Sequence, residues 1–298
     1  MFECIVCGSK AHRNMGKRTR DSKHHSIVQC DKCKLVQLYP MPSIGEDKEF
    51  YDQDNQAKFV HKNITLEEAI EKGLPDVKRR IHFLDEQFGN DRSRVSVLEI
   101  GSGYGLFLKQ AFESGYDVEG IEISDTRRNI ASRLVDCPIY DYNLMDQRLD
   151  ECTKKKYDAV VMFQVLEHIQ DPVTFLMNAK TGLKSTGQLI IEVPNVEDHL
   201  LAFCNEYNLF YWQRAHLSYY SASILETVIK MAGFAKVNIT GIQRYSLENA
   251  MNWLITGQPQ INKPSYAVRE ELQWLDSYYR SQLTNSLTCD TLIATAYL

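Results

Sequence analysis

Apolar positions change their period along the chain, and the changes mark its elements. Between residues 65 and 88, Ile70, Leu74, Val77, Ile81, Leu84 and Phe88 recur at close to helical spacing, with Gly89-Asn90 as the stop. Short apolar runs then alternate with helical stretches. "RVSVLEI" reads as a buried strand, "YGLFLKQAFES" as a helix stopped by Gly115, "DVEGIEI" as a second strand and "SDTRRNIASRLV" as a helix with Ser124 as N-cap. "CPIYDYN" is a shorter third strand, "YDAVVMF" a fourth and "GQLIIEVPN" a fifth. Between the last two, "DPVTFLMNAKTGL" is a helix that Asp171 caps and Pro172 opens. "SASILETVIKMAGF" sets Ile224, Leu225, Val228, Ile229 and Ala232 on one helical face. The strand "KVNITGIQRY", a helical insertion near residues 266–283 and the apolar strand "DTLIATAYL" complete the chain. This alternation predicts an α/β fold: a doubly wound, mostly parallel sheet covered on both faces, with ligands beyond the carboxyl ends of the strands.

Two stretches break the alternation. Residues 195–220 carry Phe203, Tyr207, Phe210, Tyr211, Trp212, Tyr219 and Tyr220 and are too long for an ordinary connection, which predicts a lid or substrate wall. The other is the N-terminal segment, where Cys4, Cys7, Cys30 and Cys33 form two C-x-x-C pairs separated by 22 residues. Four thiolates in this arrangement fill the tetrahedral shell of a structural Zn²⁺; redox chemistry and an iron–sulfur cluster are the alternatives, and His24 or His25 is near enough to replace a cysteine. Cys137, Cys152, Cys204 and Cys289 stand singly and read as small buried apolar residues. The expected organisation is a zinc-binding module at 1–45, a connector and helix at 46–90, and one large domain at 91–298 with the aromatic lid inside it.

Composition narrows the function classes. The chain has 298 residues, 44% hydrophobic and 24% charged, which suits a soluble globular protein. A net charge of −5 disfavours a nucleic-acid or anionic-membrane partner, and no run approaches the ~18 apolar residues of a membrane span. With no signal-peptide pattern, a cytoplasmic location is expected. Residues 1–34 nevertheless hold an excess of basic side chains (Lys10, Arg13, Lys17, Arg18, Arg20, Lys23, Lys32, Lys34), suited to a phosphate-bearing substrate.

The chemistry concentrates after the first strand, in "VLEIGSGYG". Dinucleotide folds use G-x-G-x-x-G to seat a pyrophosphate. Here Gly101, Gly103 and Gly105 are spaced G-x-G-x-G, and Glu99 two residues upstream would repel phosphate but suits an ammonium. Glu122, ending the second strand, is placed to accept hydrogen bonds from a ribose.

These residues, with "GIEIS", "YDAVVMFQVLEHIQDP" and "GQLIIEVPN", resemble class I S-adenosylmethionine-dependent methyltransferases over most of residues 95–240. The leader, through "CIVC", "QCDKCKLVQLYPMPS" and "EFYDQ", is similar to the zinc-binding leader of a subgroup that includes sugar C-methyltransferases, as is "HLSYYSASILETVIKMAGF". The resemblance implies S-adenosylmethionine as cofactor. It implies Glu99, Gly101, Ser102, Gly103 and Gly105 for the methionine part, Glu122 with Ile123 for the ribose, Tyr142, Asn143 and Leu144 for the adenine, and Phe163 and Gln164 lining the site. It also implies a small-molecule acceptor, a sugar nucleotide or phosphorylated precursor. Ala215 stands where the C-methyltransferases carry a Glu before the histidine, and the chain stops before their larger C-terminal domain. Both departures favour O-methylation over C-methylation; RNA methylation and a non-catalytic interaction role are the further alternatives. A neutral hydroxyl acceptor needs a base, for which His216 and His168 are the candidates, whereas an ionised acceptor needs none. Tyr51, Asn195, Arg214, Tyr219 and Tyr220 are the candidate acceptor contacts. The sequence does not fix an oligomeric state.

Overall fold

A computed structural model describes residues 2–43, 45–46, 66–89, 91–258 and 269–298. Its centre is a seven-stranded sheet. β4 (Ser96–Ile100), β5 (Asp117–Ile121), β6 (Ile139–Tyr140), β7 (Tyr157–Phe163) and β8 (Leu183–Pro194) run parallel, and the antiparallel β11 (Thr291–Tyr297) inserts between β8 and β10 (Lys236–Ile242). The order β10-β11-β8-β7-β4-β5-β6 reverses direction at β4, and this switch point is where the Glu99 loop emerges.

The central strands are apolar on both faces because helices cover both. Val97, Val160, Val161, Ile190 and Ile191 are all buried, each contributing about 1.5–3 kcal/mol relative to exposure. One layer contains α1 (Leu66–Phe88) and α2 (Leu106–Glu113), whose Ile81, Leu84, Phe107 and Ala111 meet Val97, Val161 and Phe163. On the other face lie α5 (Pro172–Lys180) and α8 (Ala222–Met231), through Phe175, Leu176, Leu225, Val228 and Ile229. Helix starts follow the expected chemistry. Ser124 accepts from the Arg127 amide at the head of α3 (Asp125–Leu134), and Asp171 accepts from the Thr174 amide with Pro172 in the first turn.

A second, four-stranded sheet has the order β1-β2-β3-β9. β1 (His12–Arg18), β2 (Ser26–Cys30) and β3 (Val36–Tyr39) come from the leader, but β9 (Ser218–Tyr219) comes from the aromatic segment, so the leader and the rest of the chain share one ladder. The aromatic segment is structured: α6 (Leu200–Phe203) and α7 (Asn205–Tyr211) precede β9, and Trp212 and Tyr219 pack with Ile27, Val36 and Leu38 of the leader. It is packed against the leader.

Several boundaries differ from expectation. The third strand contracts to two residues, and the fifth begins at Leu183, earlier than its apolar run, because Leu183 pairs with Tyr157 before an irregularity carries the ladder on from Gln188. α9 (Leu247–Thr256) was not predicted, and the insertion near 266–283 is α10 (Gln273–Ser286), with residues 259–268 outside the described residues. α4 (Leu149–Cys152) is a single turn before β7.

Candidate functional site

The loop after β4 is built from backbone. Gly101 adopts φ 74°, and a Cβ there would come 2.6 Å from Val165 Cγ2, so only glycine fits between the loop and the segment after β7. Gly103 is also left-handed, at φ 55°, yet a Cβ there would meet nothing within 4 Å; its open side is the cradle. Gly105 caps α2. Glu122 braces the loop, accepting from the Gly103 amide and the Ser124 amide, each at 2.8 Å. The expected ribose carboxylate is therefore pre-oriented by two backbone donors, next to the exposed Ile123.

Glu99 lies beside this cradle, buried, with Oε2 lacking any hydrogen-bond partner. Burial pushes its carboxyl well above the usual range; Arg80 opposes the shift and Glu122 adds to it. Ser102 Oγ is likewise buried and unpartnered. Both groups are buried without partners on residues that flank the loop's glycines, which fits a ligand that brings its own donors. Past β6, Tyr140 and Tyr142 stack at 4.7 Å, Asn143 closes an Asx turn onto the Met145 amide, and Leu144 is buried in the core.

The far wall follows β7. Phe163 packs against Phe107 and carries the Arg80 guanidinium on its face at 4.6 Å. Gln164 is a non-glycine residue at φ 59°, held there by its N–H to the Glu192 carbonyl and its side-chain amide 3.3 Å from Glu192 Oε1. Glu192, fully buried at the end of β8, is the hub of this corner. Arg80 Nη2 lies 2.5 Å and Arg79 Nη2 2.9 Å from its oxygens, and these guanidinium groups hold its carboxyl down at about 2 against the penalty of burial. Arg79 and Arg80 were not anticipated. Their signal was an adjacent arginine pair set between Val77 and Ile81 on the apolar side of a helix.

Next in the chain, Glu167, His168 and His216 come together. Leu217 N–H donates to the Glu167 carbonyl, His168 Nδ1 lies 2.7 Å from the Ala215 carbonyl, and the two imidazoles stand edge to face at 5.0 Å. Both Glu167 carboxylate oxygens are buried without a hydrogen-bond partner, and burial raises that carboxyl to about 8. Burial, reinforced by His168 and Arg20, keeps His216 neutral, well below the ordinary imidazole range.

The expected acceptor contacts separate here. Asn195, Tyr219 and Tyr220 are buried and committed to the protein. Asn195 Nδ2 serves the Leu287 and Cys289 carbonyls, Tyr219 OH lies 3.0 Å from both the amide and the carbonyl of Gln213, and Tyr220 OH accepts from Ser218 Oγ. Their polar atoms are engaged within the protein. Arg214 is mostly buried, its amide bonded to Asp21. Tyr51 lies outside the described residues. Arg20, one of the basic leader residues, donates to the Phe210 carbonyl and Gln213 Oε1 and stacks on Phe210, so it braces the aromatic wall.

The cysteines converge as predicted. Cys4 and Cys33 sulfurs lie 3.5 Å apart, as do those of Cys7 and Cys30, and all four are within 4.8 Å of one another. Zinc–sulfur bonds of ~2.3 Å in a tetrahedron require sulfurs about 3.8 Å apart, so the donor set fits zinc. Each knuckle repeats one geometry. The Val6 and Cys7 amides bond the Cys4 sulfur, the Lys32 and Cys33 amides bond that of Cys30, and Gly8 and Lys34 take left-handed φ of 66° and 68°.

Residues 72–239 match the family model described as a methyltransferase domain, more than half of the chain, and the chain belongs to that family. It is similar to the ubiquinone biosynthesis O-methyltransferases of Rickettsia conorii (26% identical over 111 residues, 37% of this chain and 38% of that protein) and Rickettsia typhi (24% over 149 residues, 49% and 56%). The chain thus spans about half or less of the length of these curated relatives. Among solved structures, a SAM-dependent methyltransferase from Archaeoglobus fulgidus has a TM-score of 0.50 at 17% identity, covering 74% of this chain and 93% of that one. Magnesium protoporphyrin IX methyltransferase from Synechocystis PCC 6803, with bound SAH, has a TM-score of 0.52 at 13% identity, covering 84% and 97%. These likenesses establish the Rossmann-like methyltransferase fold. Among the described residues no helix is long and apolar enough to cross a membrane.

Proposed function

We propose that the protein transfers a methyl group from S-adenosylmethionine to an oxygen of a small, sugar-like or phosphorylated acceptor. The observation that carries the reading is Glu99: a buried carboxylate with an unpartnered oxygen beside a glycine cradle, which an incoming ammonium would satisfy. When bound, the cofactor supplies an electrophilic methyl on a sulfonium. The protein's share is alignment and exclusion of water. Gly103 opens the floor, Glu122 takes the ribose hydroxyls while tied to two amides, and Phe163 with Gln164 closes the side facing the acceptor. Zinc in the cysteine cluster would hold the leader, with no open coordination position for chemistry.

The carbohydrate reading rests on the leader and its resemblance to that of sugar methyltransferases. Because β3 of that leader pairs with β9 next to His216, the leader is part of the wall the acceptor would meet. Titration calorimetry should find one S-adenosylhomocysteine per chain and no NAD binding. Labelled S-adenosylmethionine should then mark a sugar nucleotide or phosphorylated precursor, with RNA as the control acceptor. Absence of S-adenosylhomocysteine binding overturns the reading.

A further inference from the structure

Among the described residues, Glu167 is the carboxylate with both oxygens buried and without a hydrogen-bond partner. It is a fully buried carboxylate with neither oxygen bonded, where a structural role would provide donors. The Glu167 Oε1 to His168 Nε2 distance is 4.0 Å, and the ligand atoms of Glu167, His168 and His216 all lie within 4.8 Å of one another. The His168 ring is set by its Nδ1 contact with the Ala215 carbonyl, which makes Nδ1 the donor and puts Nε2 on the Glu167 side. A ring N–H spent on a backbone carbonyl is the usual outer support of a metal-ligating histidine. The Gln213 amide nitrogen straddles the His216 ring nitrogens at 2.8 and 3.3 Å, and it must turn aside for that ring to ligate.

We propose that Glu167, His168 and His216 bind one divalent metal ion of the zinc–manganese class, separate from the cysteine cluster, with open positions for the acceptor oxygen. The inference rests on the methyltransferase reading for its role but not for its test. One carboxylate and two imidazoles suit such an ion and leave coordination sites vacant. The acceptor class follows: a hydroxyl with a second oxygen beside it, as in a vicinal diol or a hydroxy acid, able to chelate. Coordination lowers the pKa of that hydroxyl. Its O–H bond breaks with the proton passing to water, its oxygen forms the new bond to the methyl carbon, and the carbon–sulfur bond breaks to leave a neutral thioether. The sulfonium's positive charge thus departs as the proton. His216 then serves as a ligand and not as the base, which accounts for its position beside a carboxylate that nothing else engages.

The test uses the full chain as purified, with the cysteine cluster loaded, and two probes, Mn²⁺ and Zn²⁺. Mn²⁺ competes poorly for thiolates, so it reports on the second site alone. Calorimetry should show one Mn²⁺ per chain, or one zinc beyond the first. The Mn²⁺ electron-spin-echo spectrum of the unmodified protein should carry nitrogen couplings from imidazole. Glu167→Gln and His168→Asn should each weaken binding about 100-fold or more, beyond the ~10–100-fold typical of outer-shell changes. S-adenosylhomocysteine affinity, measured on the same samples, should stay within threefold and reports that the variants are folded. Failure of both ions to bind the unmodified protein, or binding that survives both substitutions, overturns the metal site. If the unmodified protein binds the ion but not S-adenosylhomocysteine, the metal site stands and the methyltransferase reading falls.

Discussion

Replacing Glu99 by Gln removes one charge from a buried site while nearly preserving shape. In the ligand-free protein the Glu99 carboxyl is raised well above its usual range by burial, so it tends to keep its proton. An ammonium placed against it favours the ionised form, and binding must therefore expel that proton. Affinity for S-adenosylhomocysteine should rise with pH, starting from the ordinary carboxylate range, and level off once Glu99 is ionised in the free protein. The sign for stability is opposite. A raised carboxyl binds its proton more tightly folded than unfolded, so ligand-free stability declines as pH rises through the shifted range. Losing a charge-assisted hydrogen bond costs about 1.5–3 kcal/mol, which weakens Glu99→Gln about 10- to 150-fold. The variant should release no proton on binding and should lose the pH-dependent decline in melting temperature. Calorimetry in two buffers of different ionisation heat counts the proton directly. An affinity within twofold of the parent, or no proton released by the parent, would refute this account of Glu99.

Other substitutions probe different parts of the structure. Gly103→Ala places a methyl in the open cradle at φ 55° and should weaken S-adenosylhomocysteine binding with a folding cost of about 1–2 kcal/mol; Gly101→Ala, 2.6 Å from Val165, should destabilise more, as thermal melts will show. Glu192 is held at about 2 by Arg80 and Arg79, so its stabilisation is complete above the unfolded value of 4.5 and drains away as pH falls from there to about 2. The loss amounts to about 3 kcal/mol, and an acid titration of Arg80→Met should show a shallower decline from an already lower plateau. Cys30→Ser should release one equivalent of zinc by elemental analysis and, through the β3–β9 ladder, lower turnover far more than S-adenosylhomocysteine affinity. Equal losses of both would show that the leader supports the whole fold and not the wall.

Much of the central sheet was legible because its strands are uniformly apolar and its helices begin on Ser124 and Asp171, signals carried by a few consecutive residues. The cysteine pairs were legible for the same reason: each knuckle is local. α9 escaped because Met251, Leu254 and Ile255 are exposed while Ala250 and Trp253 are buried, which leaves no clean apolar stripe. The corner at Glu192 escaped because its partners lie 112 residues away on α1. Glu167 is acidic and adjacent to a histidine in the sequence, but its want of donors appears only when the chain is folded around it. Tyr219, Tyr220 and Asn195 illustrate the converse. Their residue types suit ligand contact, yet the fold turns their polar atoms inward.

The sharing of one ladder by β3 and β9 also bears on how the chain is made. Val36 and Gln37 await partners at Tyr219 and Ser218, about 180 residues further on. At ~5–20 residues per second, a ribosome needs about 10–40 s to deliver them. For that interval β3 presents an open edge beside the cysteine pairs, on a nascent chain whose parallel sheet is still incomplete. Metal capture by the cysteines at that stage would fix β2 and β3 in register early, and it would leave the β3–β9 pairing as the last docking step of the leader.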